Sequence, residues 1–240
     1  MKKLFILLTV LGMTAFSFQG YSQTNFGIKA GLNINNINQD FEESVWEWDT
    51  KMKAGFHIGP TVDIALSDQL GLQTGLFYTS KGFSDDLDEK YDSDLVAEVY
   101  GYKRTRFNYF EIPVNFAFKI DEFQIFAGPY LAIGVGGKSA VNINVVYENG
   151  STISIDGVAD YIPVFGDIDP ADLDNDEIAF NALDFGLNFG LGYKVGPMLL
   201  NVGYSLGLGN ITTGMKDSEL DPADYKMSNR VIKVSVSFFF

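Results

Sequence analysis

Strict alternation of large apolar residues with small or polar residues is the feature that most constrains this chain. Successive side chains of a β-strand point to opposite faces, so a period of two predicts strands and argues against amphipathic helices. The alternation recurs in eight segments, which span residues 26–34, 56–66, 70–78, 110–118, 125–135, 183–193, 200–208 and 232–240.

The connections between these segments alternate in length. Short turns at one end of an even number of antiparallel strands, and long loops at the other, are typical of bacterial outer-membrane barrels. The sequence therefore predicts an all-β protein, an eight-stranded antiparallel up-and-down transmembrane β-barrel with short periplasmic turns and long extracellular loops. The short turns are residues 67–69, 121–122 and 196–197, and the long loops are residues 35–52, 82–104, 137–180 and 210–228.

Side-chain size predicts which face of this barrel meets lipid. One alternating set is large and apolar, whereas the other consists mostly of Gly, Ala, Ser, Thr and Asn. The interior of an eight-stranded barrel is just wide enough to be filled by side chains. We therefore expect the small set inside and the large set against acyl chains. A soluble barrel of the lipocalin type is the alternative, and it would expose a face unusually poor in Lys and Glu.

Nine ionisable residues belong to the small set and are expected inside the barrel. Buried charges need partners, so we predict a structural network of ion pairs that fills the lumen. A proton or ion path, or a small channel, is the alternative, which so narrow a lumen makes difficult. The nine residues are Lys29, His57, Asp63, Lys81, Glu111, Lys119, Asp184, Lys194 and Lys233.

Residues 1–22 are typical of a secretory signal peptide. Lys2 and Lys3 precede an apolar run, and small residues lie just before a predicted cleavage point ahead of Gln23. A membrane anchor is the alternative, but the run is shorter than the ~20 residues that a spanning helix needs. We predict a signal peptide over 1–22 and one barrel domain over 23–240.

Residues 195–215 carry no charge and are long enough to span a membrane as a helix. Their glycines and single proline argue against helix formation. They also alternate, so we assign them to strands.

The mature chain is strongly acidic. Without Lys2 and Lys3 it has 15 basic and 31 acidic residues, a formal charge of −16, which argues against nucleic acid as a partner and against a simple basic face for anionic lipid. The four long loops hold 25 of the 31 acidic residues, so we expect a near-neutral barrel below an acidic extracellular surface.

Aromatic residues lie near both ends of the predicted strands, as expected at two membrane interfaces. Those at the long-loop end are Phe56, Tyr78 and Phe110, and those at the short-turn end are Phe118, Phe123, Tyr193, Phe238 and Phe240.

Several segments resemble the PorT-like family of outer-membrane β-barrels, also called porin-family proteins. Residues 109–114 (Tyr-Phe-Glu-Ile-Pro-Val) resemble its aromatic-x-Glu-Ile-Pro-aliphatic strand, and residues 127–131 resemble its Ala-Gly-Pro-Tyr-Leu strand. Residues 26–32, 184–187 and 204–208 are similar to other strands of the family. The resemblance implies an integral barrel located in the cell outer membrane.

The resemblance also implies partners. PorT itself is linked to protein secretion across the outer membrane, so an accessory role with secretion-system components is one implied function. The ending Ser237–Phe240 looks like the terminal aromatic signal that the barrel-assembly machinery reads, which makes this machinery an expected partner through Phe240. Outer-membrane lipids and lipopolysaccharide are the other expected partners.

Two features are candidate sites of chemistry. His57 is the only histidine, and a Ser-His-acid lipid hydrolase would need it to face lipid beside a serine, whereas the alternation turns it inward. Residues 167–177 are rich in aspartate, which suits Ca²⁺ or Mg²⁺ and a bridge to lipopolysaccharide phosphates, but they lack the spacing of an EF-hand. We favour a solvated loop, and predict a non-enzymatic structural, binding or envelope protein with no catalytic, metal or cofactor site.

Two of the long loops contain further signals. Asn149-Gly150, between alternating residues 141–147 and 151–155, predicts a hairpin. This hairpin either extends the neighbouring strands outward or stands separately, and a ten-stranded barrel is the alternative. Trp46 and Trp48 are candidates for contact with a partner or sugar, with packing onto the loops as the alternative.

Overall fold

The computed structural model describes residues 24–41, 50–90, 95–157, 163–165, 178–214 and 225–240. The predicted signal peptide, Trp46, Trp48 and residues 167–177 lie outside these ranges. The described residues form no helix with the length and hydropathy of a transmembrane span. The strands are β1 (Thr24–Phe41), β2 (Thr50–Lys51), β3 (Lys53–Ala65), β4 (Leu70–Gly75), β5 (Phe77–Lys90), β6 (Val96–Ile120), β7 (Phe123–Tyr147), β8 (Thr152–Gly157), β9 (Pro163–Phe165), β10 (Ile178–Phe180), β11 (Leu183–Val195), β12 (Met198–Gly207), β13 (Thr212–Gly214) and β14 (Tyr225–Phe239).

Antiparallel pairing of the longer strands forms a closed eight-stranded barrel. β1 pairs with β3, β3 pairs with β4 and β5, and both of these pair with β6. The ring continues through β7, β11, β12 and β14, and β14 pairs back with β1. β4 and β5 together form one wall position, so each predicted segment lies on one wall strand. The predicted fold is confirmed.

The interruption between β4 and β5 falls at Leu76. Pro60 on β3 and Pro113 on β6 lie on either side of it, because Thr61 pairs with Gly75 whereas Val114 and Glu111 pair with Thr74 and Phe77. A proline has no N–H to donate to a β-ladder. The wall is held there by other bonds, since Leu76 N donates to Pro60 O (3.2 Å) and Thr74 Oγ1 donates to Pro113 O (2.7 Å).

The two faces of the wall are oriented as side-chain size predicts. On β11, Leu187 is 44% exposed on the outer surface, whereas the next residue, Asn188, is 6% exposed. The same alternation holds along β6, where Phe116 is exposed and Ala117 is buried. A soluble barrel would need the opposite orientation, so that alternative does not fit the structure.

Aromatic residues form contacts at both ends of this apolar band. Phe56, Tyr78 and Phe110 follow one another across β3, β5 and β6 at the long-loop end, with ring centroids 5.9 Å apart in each neighbouring pair. At the short-turn end, Phe123 and Tyr193 lie 4.7 Å apart. Rings at both levels match the two interfaces of a membrane.

Strands β5, β6 and β7 continue well beyond the apolar band. The prediction that residues 82–104 form a loop is wrong for most of that range, because β5 runs to Lys90 and β6 begins at Val96. Residues 137–147, also predicted as loop, belong to β7. Both faces of these extensions lie outside lipid, so the contrast between large and small residues that marks the spanning strands is lost there.

The Asn-Gly signal does mark a hairpin. β7 turns at Glu148–Ser151 into β8, which pairs back with β7. Asn149 Oδ1 accepts a hydrogen bond from Ser151 N (2.9 Å), and Gly150 has a positive φ of 79°. The lower part of β7 pairs with β11, and only its upper part pairs with β8. The hairpin is therefore an extension of the barrel wall above the eight-stranded ring, and the described strands do not form a ten-stranded barrel.

β7 also contains a bulge in its upper half. Tyr109 of β6 pairs with Gly134, but Asn108 pairs with Gly136, so Val135 is an extra residue on the β7 side. Bulges of this kind bend a strand and increase its local twist.

A small sheet closes over the lumen from the long-loop end. β10 pairs with β9 in parallel and with β13 in antiparallel orientation. Phe165 of β9 lies against Gly134, where an added Cβ would come within 2.4 Å of the ring. Glycine at this position therefore lets β9 pack directly on the barrel wall.

Candidate functional site

The centre of the lumen is occupied by a buried ion network. Lys81 Nζ lies 2.9 Å from Glu111 Oε2 and 2.9 Å from Asp184 Oδ2. All three side chains are at most 3% exposed. Lys233 binds the other carboxylate oxygen of Glu111, so this carboxylate lies between two ammonium groups. The predicted network of interior ion pairs is confirmed, and it joins β5, β6, β11 and β14 across the barrel.

Asp184 is further held by two neutral side chains. Tyr130 OH donates a hydrogen bond to Oδ1 (3.1 Å), and Asn229 Nδ2 donates one to Oδ2 (2.9 Å). The Lys81 ammonium also lies 4.4 Å from the centre of the Tyr130 ring, a cation–π contact. Buried charges are retained when their remaining lone pairs and protons are satisfied, and Asp184 meets this condition.

The segments that carry the family resemblance meet at this network. Glu111 belongs to the Glu-Ile-Pro segment, Tyr130 to the Ala-Gly-Pro-Tyr-Leu segment, and Asp184 begins a third. The register places them together, because Glu111 and Asp184 both pair with Ala132 of β7. The network was predicted by residue type, but the roles of Tyr130 and Asn229 were not. Tyr130 could have been found as a large residue in the small, inward set.

An aromatic cluster seals the lumen above the network. Its members are inward-facing residues of β5 and β6 together with residues of the small sheet, and the closest rings, Phe107 and Phe180, are 4.6 Å apart. Sequence reasoning missed this cluster because its members fall in predicted loops or just outside a predicted strand. Only Phe107 and Tyr109 could have been placed in the lumen from the sequence, because they continue the alternation of inward-facing residues along their strand. The cluster comprises Phe83, Phe107, Tyr109, Phe165 and Phe180.

Below the network, a small cavity of about 40 Å³ lies beside His57 and Lys29. Asn33 Nδ2 donates hydrogen bonds to Thr79 Oγ1 (3.0 Å) and Ser80 O (3.0 Å), which fixes the orientation of the amide. Asn33 Oδ1 therefore accepts a hydrogen bond from His57 Nδ1 (2.8 Å). This assigns the ring proton to Nδ1 and leaves Nε2 as an acceptor, with no partner among the described residues. The cavity has room for roughly two or three water molecules.

The short-turn end of the lumen is open. Lys119 Nζ binds Asp63 Oδ1 (2.7 Å), and Gln73 joins Asp63 (2.9 Å) to Gln124 (3.0 Å) in a polar layer. Below this layer a vestibule of about 600 Å³ faces solvent. Lys194, predicted inside, is instead exposed at the rim, where its strand leaves the narrow part of the barrel.

The remaining sequence candidates are placed as follows. His57 points inward and is buried, so the lipid-facing arrangement that a hydrolase would need is not present. Phe240 is exposed at the vestibule, and its N–H donates to Phe26 O (3.0 Å). In the part of the chain that the structure describes, no group of three or more His, Asp or Glu side chains is arranged to hold a metal ion.

Comparison with known proteins gives the following matches. The family described as outer membrane protein beta-barrel domain matches residues 18–213. No match among curated proteins was found. Three solved structures are similar to the chain at 12% identity: Ail, the attachment invasion locus protein of Yersinia pestis (TM-score 0.38, 91% of this chain, 99% of that chain), Neisserial surface protein A (0.38, 92% and 100%) and OprG from Pseudomonas aeruginosa (0.37, 92% and 98%).

The family match covers most of the chain and includes seven of the eight wall strands. The apolar outer band and the two aromatic levels are what an outer-membrane location requires. The protein therefore belongs to the outer membrane β-barrel domain family and is located in the outer membrane.

Proposed function

We propose that this protein is a closed outer-membrane barrel that conducts neither ions nor solutes, and that its structural or binding role lies in its extracellular part. The observation that carries this proposal is the filled lumen. A solute entering from the vestibule would meet the polar layer of Asp63 and Lys119, then the network around Lys81, and then the aromatic cluster.

Each layer opposes passage for a different reason. The polar layer and the network are held by direct ion pairs. A solute could pass only by separating these pairs, which would leave uncompensated charges. The aromatic cluster offers an ion one polar group, the Tyr109 hydroxyl, which is too little to replace its water. Strands β5, β6 and β7, by contrast, present a long sheet outside the membrane, which is the part of the molecule available to other envelope components.

Planar-bilayer recordings test this proposal. We expect the purified full-length protein, reconstituted in the bilayer, to give no current steps above the protein-free background. A large-pore porin recorded in the same bilayers is the positive control, and flotation of the reconstituted protein with vesicles checks insertion. Reproducible steps that appear only with this protein would contradict a closed barrel.

A narrower proposal rests on the PorT-like segments: the protein acts as an accessory of secretion across the outer membrane. Because the lumen is filled, this role would use the extracellular sheet rather than a path for cargo. Deleting the gene is expected to reduce surface delivery of secreted cargo, and re-expressing the full chain is expected to restore it. Unchanged delivery in the deletion strain, with cargo synthesis also unchanged, would remove this assignment and leave the closed-barrel proposal standing.

Three other expectations stay predictions. They are export through the signal peptide over residues 1–22, recognition of Phe240 by the assembly machinery, and the absence of enzymatic activity.

A further inference from the structure

A cluster of basic side chains lies on the outer surface of the barrel wall above the apolar band. Arg104 and Arg106 on β6 and Lys138 on β7 are all exposed. Their neighbours Thr105 and Ser139 are buried on the lumen side, with their hydroxyl groups 3.2 Å apart. Because side chains alternate along a strand, the three basic residues point outward. We call them the basic patch.

The strand register forces two of these charges together. Arg106 and Lys138 are directly opposite each other in the β6–β7 ladder. Like charges at directly opposed positions are destabilising. Among the described residues, neither side chain has an ion pair or hydrogen bond that would compensate for this repulsion.

Asp86, an acidic residue whose pKa is influenced by Arg104, already has a partner. Asp86 accepts a hydrogen bond from Lys51 (2.9 Å). This bond is the main cause that holds the pKa of Asp86 below its usual value, and Arg104 adds a weaker electrostatic contribution. Arg104 itself stacks on Tyr102, with 4.0 Å between the guanidinium carbon and the ring centre.

A fourth cation, Lys53, lies on the lumen side of the same wall, above the membrane-spanning part of β3, because it is directly opposite the buried Asn35 in the β1–β3 ladder. Its Nζ donates a hydrogen bond to Thr105 O (2.9 Å). Burial, together with the nearby charges of Arg106 and Arg104, lowers the pKa of Lys53 to about 8. Burial is the largest cause of this shift and the two arginine charges add to it, so the charges near this place are mainly positive although the chain as a whole is acidic.

The height of the patch matches the headgroup layer of the outer leaflet. Phe110, in the aromatic row at the long-loop end, is four residues below Arg106 on the same strand. With a rise of ~3.3 Å per residue and a tilt of ~40°, Arg106 lies about 10 Å above that row. The polar layer of a bilayer extends about 5–8 Å beyond the hydrocarbon. A bent-back arginine or lysine side chain spans the difference.

We propose that the basic patch binds the phosphate groups of a phosphorylated lipid of the outer leaflet. Arginine guanidinium groups bind phosphate through two parallel hydrogen bonds, and a phosphate between Arg106 and Lys138 would replace their repulsion with two attractions. The patch faces sideways from the barrel wall, so a lipid reaches it by lateral diffusion. This proposal rests on the outer-membrane location and does not depend on whether the lumen is closed.

Native mass spectrometry of the full-length protein tests the proposal. Detergent micelles would contain equal amounts of phosphorylated lipid A and the same lipid A after enzymatic dephosphorylation. We expect the protein to retain the phosphorylated form preferentially. The double variant Arg106→Gln/Lys138→Gln is expected to lower this retention by about tenfold or more, since each basic residue near an anionic headgroup contributes about fivefold.

The matched control is Lys194→Gln/Lys226→Gln, which makes the same change of charge at two exposed residues outside the patch. It is expected to retain the lipid as the parent protein does. Equal retention of both lipids by the parent protein would overturn the proposal, and so would an equal loss in the control. Displacement of the lipid by millimolar inorganic phosphate would also overturn it, because it would indicate a site for free phosphate.

Folding of each variant is checked by its heat-dependent gel mobility. If the double variant does not fold, the single variant Lys138→Gln and the lipid preference of the parent protein still decide the question.

Discussion

Replacing Lys81 with methionine is expected to lower the free energy of unfolding by about 3–5 kcal/mol. Lys81 is fully buried and is the only cation that contacts Asp184 among the ion pairs of the described residues. Methionine keeps most of the side-chain volume but leaves the Asp184 carboxylate without an opposite charge and removes one of the two partners of Glu111. Urea titration of the protein folded into phospholipid vesicles, followed by gel mobility, measures the change.

Two further variants make this result specific. Lys194→Met removes the same charge at an exposed position on the rim, and we expect it to change stability by no more than about 0.5 kcal/mol. Adding Asp184→Asn to Lys81→Met should recover part of the loss, because the uncompensated charge is then gone. A loss that is equal in Lys81→Met and Lys194→Met would show that the network does not stabilise the barrel.

Replacing Leu187 with arginine is expected to cost about 2–4 kcal/mol, as for a cation on the lipid-facing side at mid-membrane. Leu187 lies in the middle of β11, points outward and is opposed by Pro129 and Leu206 on the adjacent strands. The same urea titration in vesicles measures this cost.

The control for Leu187→Arg is Leu183→Arg, at the start of the same strand. Leu183 pairs with Ile133, which in turn pairs with Phe110 of the aromatic row. It therefore lies near the interface, where the expected cost is about 0–1 kcal/mol. If both substitutions lower the free energy of unfolding equally, Leu187 does not lie deeper in the bilayer than Leu183.

The sequence predicts the spanning part of the barrel well for a physical reason. Lipid and a narrow lumen impose opposite demands on alternate residues, so pairs such as Leu187 and Asn188 differ strongly in size and polarity. Above the membrane this difference disappears, and the continuation of β5 to Lys90 and of β6 from Val96 was predicted as loop. β-propensity alone does not distinguish an extended strand from a connecting segment.

The lumen contents were predictable by type but not by arrangement. Lys81, Glu111 and Asp184 could be placed inside from their positions in the small set. Their pairing depends on strand register between residues that are up to 103 positions apart, which no local pattern records. Phe165 and Phe180 were still less accessible to prediction, because they reach the lumen on three-residue strands that pair with each other and pack on the barrel wall.

The bulge at Val135 has a consequence for the outer surface. Below it the odd-numbered residues of β7, such as Ile133, point to lipid, whereas above it the odd-numbered Ser139 points to the lumen. One inserted residue thus exchanges the inside and outside of the whole upper strand. If β6 and β7 paired regularly here, without the bulge, Gly137 would stand across from Arg106, and Lys138 would stand across from the buried Thr105 and point to the lumen. A single backbone irregularity therefore decides whether this lysine is displayed to the surroundings or buried.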